Sequence, residues 1–383
     1  MTLRILYCAI DQEVPGTVGG SVHVTAVAEG LARRGHEVHV LVSPGRGPFP
    51  SGPVRWTAMP PPLGRKELRW ARTGAVTRLA RTLNADAIIE RYYNFGGEGI
   101  LAGAALGKRT MLEVNAPVID YPGSNKARLD RMLLVEPMRR WRERICRRAS
   151  VIVTPSAAIL PPATPSAKIL ELEWGADTTR FHPGAKGSLP FSRPPGVLAV
   201  FAGAFRRWHG AERLLEAMRQ LRHRGIEDVN AVLVGDGPEL PRARIAAQGL
   251  DRVTFTGPVA HAAMPACLAA ADIGVAPFTP DAHGPLALGF YWSPLKIFEY
   301  MASGLPTVTI PRPPLTEIVR EGQEGLHARE GDPAALAEAI VRLAADSALR
   351  RRLGASARAR VVERYSWACH CEQLERVLLR IAA

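Results

Sequence analysis

The chain has 383 residues, 47% of them hydrophobic, enough length and apolar content for two buried cores. No apolar run approaches the roughly 18–20 residues that cross a bilayer, and the opening MTLRILYCAI reads as a first strand rather than a leader with a cleavage site. These features argue against an integral membrane protein and set the expectation of a cytoplasmic one.

Cys8, Cys146, Cys267, Cys369 and Cys371 are scattered and odd in number, which fits a reducing compartment better than a disulfide framework. The triplet Cys369-His370-Cys371 has no second Cys/His pair at finger spacing, so it reads as ordinary residues at a helix start and no metal site is expected. The net charge is +13 and sits mainly in the first half: the residues to Leu189 carry 26 Lys/Arg against 16 Asp/Glu. The stretch Lys126–Arg148 holds nine basic and three acidic residues, a surface that could meet an anionic lipid face as well as water. No zinc finger, RNP strand or basic region with heptads is present, so nucleic acid is not an expected partner.

In chain order, Leu3–Tyr7 is a short apolar strand followed by a glycine-bearing loop ending Thr17-Val18-Gly19-Gly20. Ser21 can cap a helix with Val24, Val27 and Leu31 on one side, and Gly35 stands where a C-terminal cap glycine belongs. His36–Val42 is the next strand, completing a βαβ unit. Further strands are predicted at Ala87–Glu90, Thr110–Val114 and Ser150–Val153. The segment His182–Gly196, rich in Pro and Gly, reads as an inter-domain linker. Strand–helix alternation then resumes. Strands are predicted at Val197–Phe201, Asn230–Val234, Val253–Thr256, Ile273–Ala276 and Thr307–Ile310, and helices at Ala211–Arg224, Met264–Ala271 and Pro294–Ala302 and over most of the sequence beyond Pro333. The expected fold class is α/β, with two facing Rossmann-like, doubly wound parallel-sheet domains and a cleft between them. The expected domains are 1–185 and 186–364, with a C-terminal helix at 365–383 packing back on the first.

Open α/β sheets bind ligands in the loops beyond the carboxyl ends of their strands, and four such loops in the second half carry unusual residues. Gly203–Gly210 combines glycines with Arg206, Arg207 and His209 ahead of a helix, a setting that favours a diphosphate. Gly235-Asp236-Gly237-Pro238-Glu239 allows close backbone approach. Gly257-Pro258-Val259 could read a nucleobase edge. In Ser293–Pro306, Ser293 fits an N-cap and Pro294 the first helical position, and spacing of three puts Lys296 and Glu299 on adjoining faces. Glu299 lies among Ile297, Phe298, Tyr300 and Met301, where a carboxylate needs partners; a ribose diol would supply two hydroxyls.

Taken together, these segments resemble family 4 of the retaining GT-B glycosyltransferases over nearly the whole chain. GGSVHVTAVAEGLARRGHEVHVL is similar to that family's first glycine loop and helix. EWGADTTRFHP resembles its domain crossover, and the loops at Gly203–Gly210, Gly235–Glu239 and Ser293–Pro306 resemble its donor-site motifs in order. The texture is that of a subgroup with Trp208-His209-Gly210, Glu113–Pro117 and a Ser-Pro-Leu-Lys turn. The resemblance implies donor contacts from Gly19, Gly20, Gly203, Phe205, Arg207, His209, Gly235, Gly237, Val259, Ser293, Pro294, Leu295 and Glu299. It implies catalytic roles for Asn115, Glu113, Arg206 and Lys296. Glu299 would hold the ribose, and the cations near Ser293–Lys296 and Arg206–His209 would stabilise the leaving diphosphate. It implies no cofactor and no metal, only a nucleoside-diphosphate sugar as co-substrate, with UDP favoured.

Three departures stand out. The earlier of two glutamates common in the family is Tyr291 here, an Arg and a Lys of the first donor loop are Ala204 and His209, and Asn115 fills a slot often held by histidine. The implied reaction moves a sugar to a hydroxyl of a small molecule, glycan or lipid-linked acceptor with retained anomeric configuration. The rivals are an epimerase or inverting enzyme on the same fold, with His23 or Asp11 as base, and a non-catalytic partner with a degenerate site. Peripheral contact with the inner membrane face through the basic first half is compatible with catalysis.

Overall fold

The computed structural model describes residues 1–16, 18–121, 123–132 and 136–382. Thr17 of the first glycine loop, Pro122 and the 133–135 part of the basic stretch lie outside them, as does the side chain of Lys126. Contacts group the chain into two units: Met1–Trp174 with Tyr291–Ser293 and Trp367–Ala383, and Gly175–Phe290 with Pro294–Ser366.

The first unit holds a seven-stranded sheet of β1 (Arg4–Val14), β2 (Glu37–Pro44), β3 (Arg55–Ala58), β4 (Ala87–Arg91), β5 (Arg109–Glu113), β6 (Val151–Thr154) and β7 (Ile169–Glu171). Their order is β3-β2-β1-β4-β5-β6-β7, with every pairing parallel. The second holds β8 (Val197–Ala202), β9 (Val229–Val234), β10 (Val253–Gly257), β11 (Ile273–Ala276), β12 (Thr307–Thr309) and β13 (Gly325–His327). Their order, β10-β9-β8-β11-β12-β13, is the same winding and is again wholly parallel. The two doubly wound parallel sheets expected from the alternation of elements are therefore present. The strand order reverses between β1 and β4 in one unit and between β8 and β11 in the other, the switch points where open α/β sheets place ligands.

Central strands read as continuous apolar runs because helices cover both faces: all six residues of β8 and all six of β9 are buried. The three strands not foreseen from sequence, β3, β7 and β13, have only three or four residues, and their order in the sheets is set by tertiary pairing rather than by any local pattern. The first long helix, Gly19–Arg33, begins three residues earlier than the Ser21 cap would place it. Ser21 lies inside it, and its Oγ is buried with no hydrogen-bond partner. Gly35 does end the helix, with a φ of +92°.

The break between units falls at Trp174/Gly175, ahead of the Pro/Gly-rich segment expected as the linker. That segment is tied into the second unit. Phe181 is buried, and the Arg358 guanidinium donates to the carbonyls of Phe181, Ala302 and Thr178 at 2.6–2.8 Å. The last helix, Trp367–Ala382, packs on Gly19–Arg33. Cys371 Sγ lies 2.3 Å from where a side chain on Gly30 would begin, so only glycine fits there. Arg34 donates to Glu375 at 2.7 Å, and His36 Nε2 lies 3.1 Å from the same carboxylate. Cys369, His370 and Cys371 are residues of this helix, and His370 Nδ1 bonds the Glu173 carbonyl at 2.7 Å.

At the carboxyl end of β1 and β4, Arg69 is fully buried. Its guanidinium is held by Asp11 and Glu98 and donates to the Arg91 carbonyl at 3.2 Å, with Glu90 at 3.8 Å. Burial pushes Glu90 up to about 8, with Glu98 adding to the effect and Arg69 opposing it. The network fixes the segment Lys66–Arg72 over the sheet's switch point.

Candidate active site

In the second unit, β8 runs into Gly203 with a φ of +129°, and a Cβ there would come within 3.2 Å of Lys296 Nζ. Backbone bonds join this turn to the second glycine loop: Gly203 donates to Val234 at 2.9 Å, Phe205 to Asp236 at 2.9 Å, and Glu239 to Phe205 at 2.9 Å. A Cβ on Gly235, φ +130°, would sit 2.1 Å from the Gly203 carbonyl, so neither chain could approach with a side chain between them. Gly203, Gly235 and Gly237 are thus brought together. Gly235 also donates to Gly257 at 2.9 Å, which places Val259, half-buried, just beyond the same edge.

Helix Leu295–Ala302 is fixed beside this turn by Tyr300, whose hydroxyl accepts from the Ala202 N–H at 2.7 Å, one residue before Gly203. Pro294 occupies the N-cap and no side chain caps the helix. Ser293, expected there, is engaged elsewhere: its Oγ donates to Glu173 at 2.7 Å and accepts from the Trp174 N–H at 2.9 Å. The helix's first amides are left for an anion or water.

Lys296 is the most unusual group. Its Nζ is buried, has no hydrogen-bond partner, and lies 4.3 Å above the Phe201 ring and 5.4 Å from that of Phe278. Burial pushes its pKa down to about 7, with Glu299 opposing. The cation–π contacts recover only part of the lost hydration. No ion pair joins Lys296 to Glu299, both described residues; Glu299 keeps one-fifth of its side chain exposed and has His261 Nε2 3.9 Å away.

Two expected donor residues prove structural. The Phe205 ring is wholly buried against Phe201 and Phe255, and its backbone N–H and C=O are already paired, so it has nothing to offer a ligand. His209 is buried with Nδ1 bonded to the Ala204 carbonyl. Burial, then the Lys296 charge, holds it near 2, so it is a neutral ring and not a phosphate-binding cation. Arg206 and Arg207 stand exposed on the far shoulder of the loop, lining a recess of about 450 Å³ with Arg213 and Arg312. Leu295 lies half-buried in the first turn of the helix.

In the first unit, Gly19 and Gly20 open the helix rather than a loop. A Cβ on Gly20 would strike Gln12 Oε1 at 2.0 Å. At the end of β5, Glu113 is 2% exposed and accepts from the Tyr7 hydroxyl, while its Oε1 is buried without a partner. Burial pushes it up to about 7, with Tyr7 and Arg91 opposing. Asn115 Oδ1 accepts from Trp174 Nε1 at 2.8 Å, and its Nδ2 is buried and unpartnered. His23 lies beside Glu113 and Trp174: its Nδ1 is 4.0 Å from Glu113, and its ring is 4.5 Å from that of Trp174. Arg91 Nη1 lies 3.0 Å from His23 Nδ1. Arginine only donates, so this nitrogen is the acceptor and His23 is neutral, its pKa held well below the usual value by burial, Arg91 and His370. Tyr291, in the slot of the absent glutamate, is a buried phenol, raised well above its ordinary range by burial. Trp174 and Arg91, the residues that orient this cluster, had no signal in the sequence beyond their type.

Residues 18–160 match the family model for glycosyltransferase family 4, and residues 196–346 match that for glycosyl transferases group 1. Together they span most of the chain, one on each unit. The chain belongs to the family 4 glycosyltransferases. A phosphatidyl-myo-inositol mannosyltransferase of Mycobacterium leprae is 26% identical, with 98% of this chain and 96% of the relative covered. A GDP-mannose-dependent alpha-(1-6)-phosphatidylinositol dimannoside mannosyltransferase of Mycobacterium tuberculosis is 29% identical over 50% of this chain and 47% of its own. Among solved structures, Anabaena HepE in complex with UDP has the same fold, with a TM-score of 0.70 at 18% identity, 99% of this chain and 100% of that one covered. This glycosyltransferase has the GT-B fold and transfers glycosyl groups from nucleotide-sugar donors.

Glu299→Ala should weaken binding of the cognate nucleoside diphosphate by about 2–3 kcal/mol, the worth of hydrogen bonds to a charged acceptor, read as a 30- to 150-fold rise in Kd by calorimetry. An unchanged Kd would place the ribose elsewhere.

Proposed function

We propose that this enzyme binds the diphosphate of its donor at Lys296, the uncapped amides of Leu295–Lys296 and the Gly203 turn, and that Glu299 accepts the ribose hydroxyls. The observation that carries this reading is the buried, unpartnered Lys296 ammonium beside a glycine turn that leaves backbone room for an anion. As the glycosidic C–O bond breaks, charge grows on the leaving diphosphate. Lys296 and the helix N-terminus are already aimed where it grows, and so need no metal to neutralise it. In the first unit Asn115 and Glu113 supply polar groups for the transferred sugar.

Retention of configuration is favoured by what is unavailable for the alternative. An inverting transfer needs a free base for the acceptor hydroxyl. His23 Nδ1 is occupied by Arg91, and Asp11 is occupied by Arg69 and by Gln12 Nε2 at 2.5 Å.

For the acceptor we propose an amphiphile with an anionic head, met at a membrane surface. Among the described residues of the first unit, Met1 apart, the exposed large apolar side chains are Val18, Leu63, Trp70, Leu129 and Met132. They follow the carboxyl ends of β1, β3 and β5, which in a parallel sheet share one edge. Exposed Arg65, Lys66, Arg128 and Arg131 lie in the same segments. An apolar tip set among cations suits an interfacial contact with anionic lipid, in keeping with the phosphatidyl-inositol named for the relatives. No helix is long and apolar enough to cross a membrane, among the residues described.

Titration with UDP, GDP, TDP and ADP in metal-free buffer should raise the melting temperature with one base, since a ligand of the folded state stabilises it by mass action. With the matching nucleotide sugar, the product should keep the donor's anomeric configuration by NMR. No shift with any diphosphate would remove the donor assignment, and an inverted product would remove retention. Separately, the protein should co-sediment with phosphatidylglycerol vesicles at low salt, less so in high salt or after Leu63→Ser with Trp70→Ser; equal binding to neutral vesicles, or none, would contradict the acceptor reading.

A further inference from the structure

Trp174 is the first unit's last residue before the crossover, and its indole is held on several sides. It lies 4.5 Å from the His23 ring and 6.3 Å from that of Trp367, and the Arg91 guanidinium is 5.7 Å from its centroid. Its backbone N–H donates to Ser293 Oγ at 2.9 Å, and Ser293 in turn donates to Glu173 at 2.7 Å. The ring therefore has one orientation, with Nε1–H directed at Asn115 at 2.8 Å.

An indole nitrogen can only donate. The carboxamide of Asn115 must then turn its oxygen to Trp174 and its –NH2 the other way, and that Nδ2 is buried with no partner. Buried polar groups are almost always satisfied, so two N–H donors at the end of β5 require an acceptor from outside the unit's own side chains. A freely rotating asparagine could offer either end; this one cannot.

We propose that Trp174 is a positioning residue that locks Asn115 as a hydrogen-bond donor and thereby sets which substituent the donor sugar may carry at that point. The proposal rests on the reading that Asn115 meets the transferred sugar. The matching group is an oxygen acceptor, a hydroxyl or carboxylate, and a sugar with an ammonium in that place is excluded because donor would face donor.

The test compares Trp174→Phe, Asn115→Ala and the double variant in three readouts: melting temperature, Kd for the nucleoside diphosphate, and kcat/KM with the nucleotide sugar. Trp174→Phe removes the N–H while keeping an aromatic ring at the position, and the melting temperature reports the packing lost with the smaller ring. Both single variants should lower kcat/KM on the order of tenfold or more while leaving diphosphate Kd within about twofold, and the double variant should be no worse than Asn115→Ala. Asn115→Asp, which presents an acceptor in place of the –NH2, should lose as much as Asn115→Ala. Multiplicative losses in the double variant, full activity in Trp174→Phe, or full activity in Asn115→Asp would overturn the proposal. Full kcat/KM in Asn115→Ala would instead remove the placement of the sugar at Asn115, with the diphosphate Kd still reporting on the donor site.

Discussion

A buried ammonium with only aromatic faces for company is costly unless something else completes it. Lys296 is such a group, and much of the second unit is arranged to hold it there. Tyr300 pins its helix to β8, the glycines at 203 and 235 let two strand-ending turns close over it, and Phe201 and Phe278 wall it from water. The same burial that lowers its pKa would strengthen its attraction for the diphosphate proposed to bind there, because the attraction is felt in a medium of low dielectric. A surface lysine at the same place would have been screened.

The cations of the Gly203–Gly210 loop, Arg206 and Arg207, stand exposed and line a surface recess. Ala204 is uncharged, and His209 is a neutral ring whose remaining task is to bond the Ala204 carbonyl and so shape the turn. In the first unit, Glu113 is pushed up toward neutral pH, His23 is neutral and Asn115 is turned by Trp174, with Arg91 as the cation beside His23.

Most of the architecture was legible because the central strands are continuous apolar runs between helices, and glycine turns after strands mark the loops. The glycine turns at 203, 235 and 237 and the helix that carries Lys296 and Glu299 were legible the same way. What was not legible depended on burial. Phe205 and His209 sit in a motif whose residue types suggest ligand contact, but only the fold tells that one ring is core and the other cannot ionise. Ser293 has the look of a helix cap and bonds Glu173 and Trp174 instead, partners more than a hundred residues away in sequence. The buried Arg69 and its carboxylates Asp11, Glu90 and Glu98 likewise come from four separate segments, and no local pattern announces them.

The most direct measurement is the Kd of the cognate nucleoside diphosphate between pH 7 and pH 9, in wild type and in Lys296→Met. Lys296 titrates near 7 in the free enzyme, and a bound diphosphate must raise that value. Above pH 7 binding therefore takes up a proton, and affinity falls as pH rises, approaching tenfold per unit. The account predicts that slope in wild type and a weak, nearly flat profile in the variant. The same Kd at pH 7 and pH 9 in wild type, or a matching slope in Lys296→Met, would contradict the assignment of Lys296 as the group that receives the diphosphate.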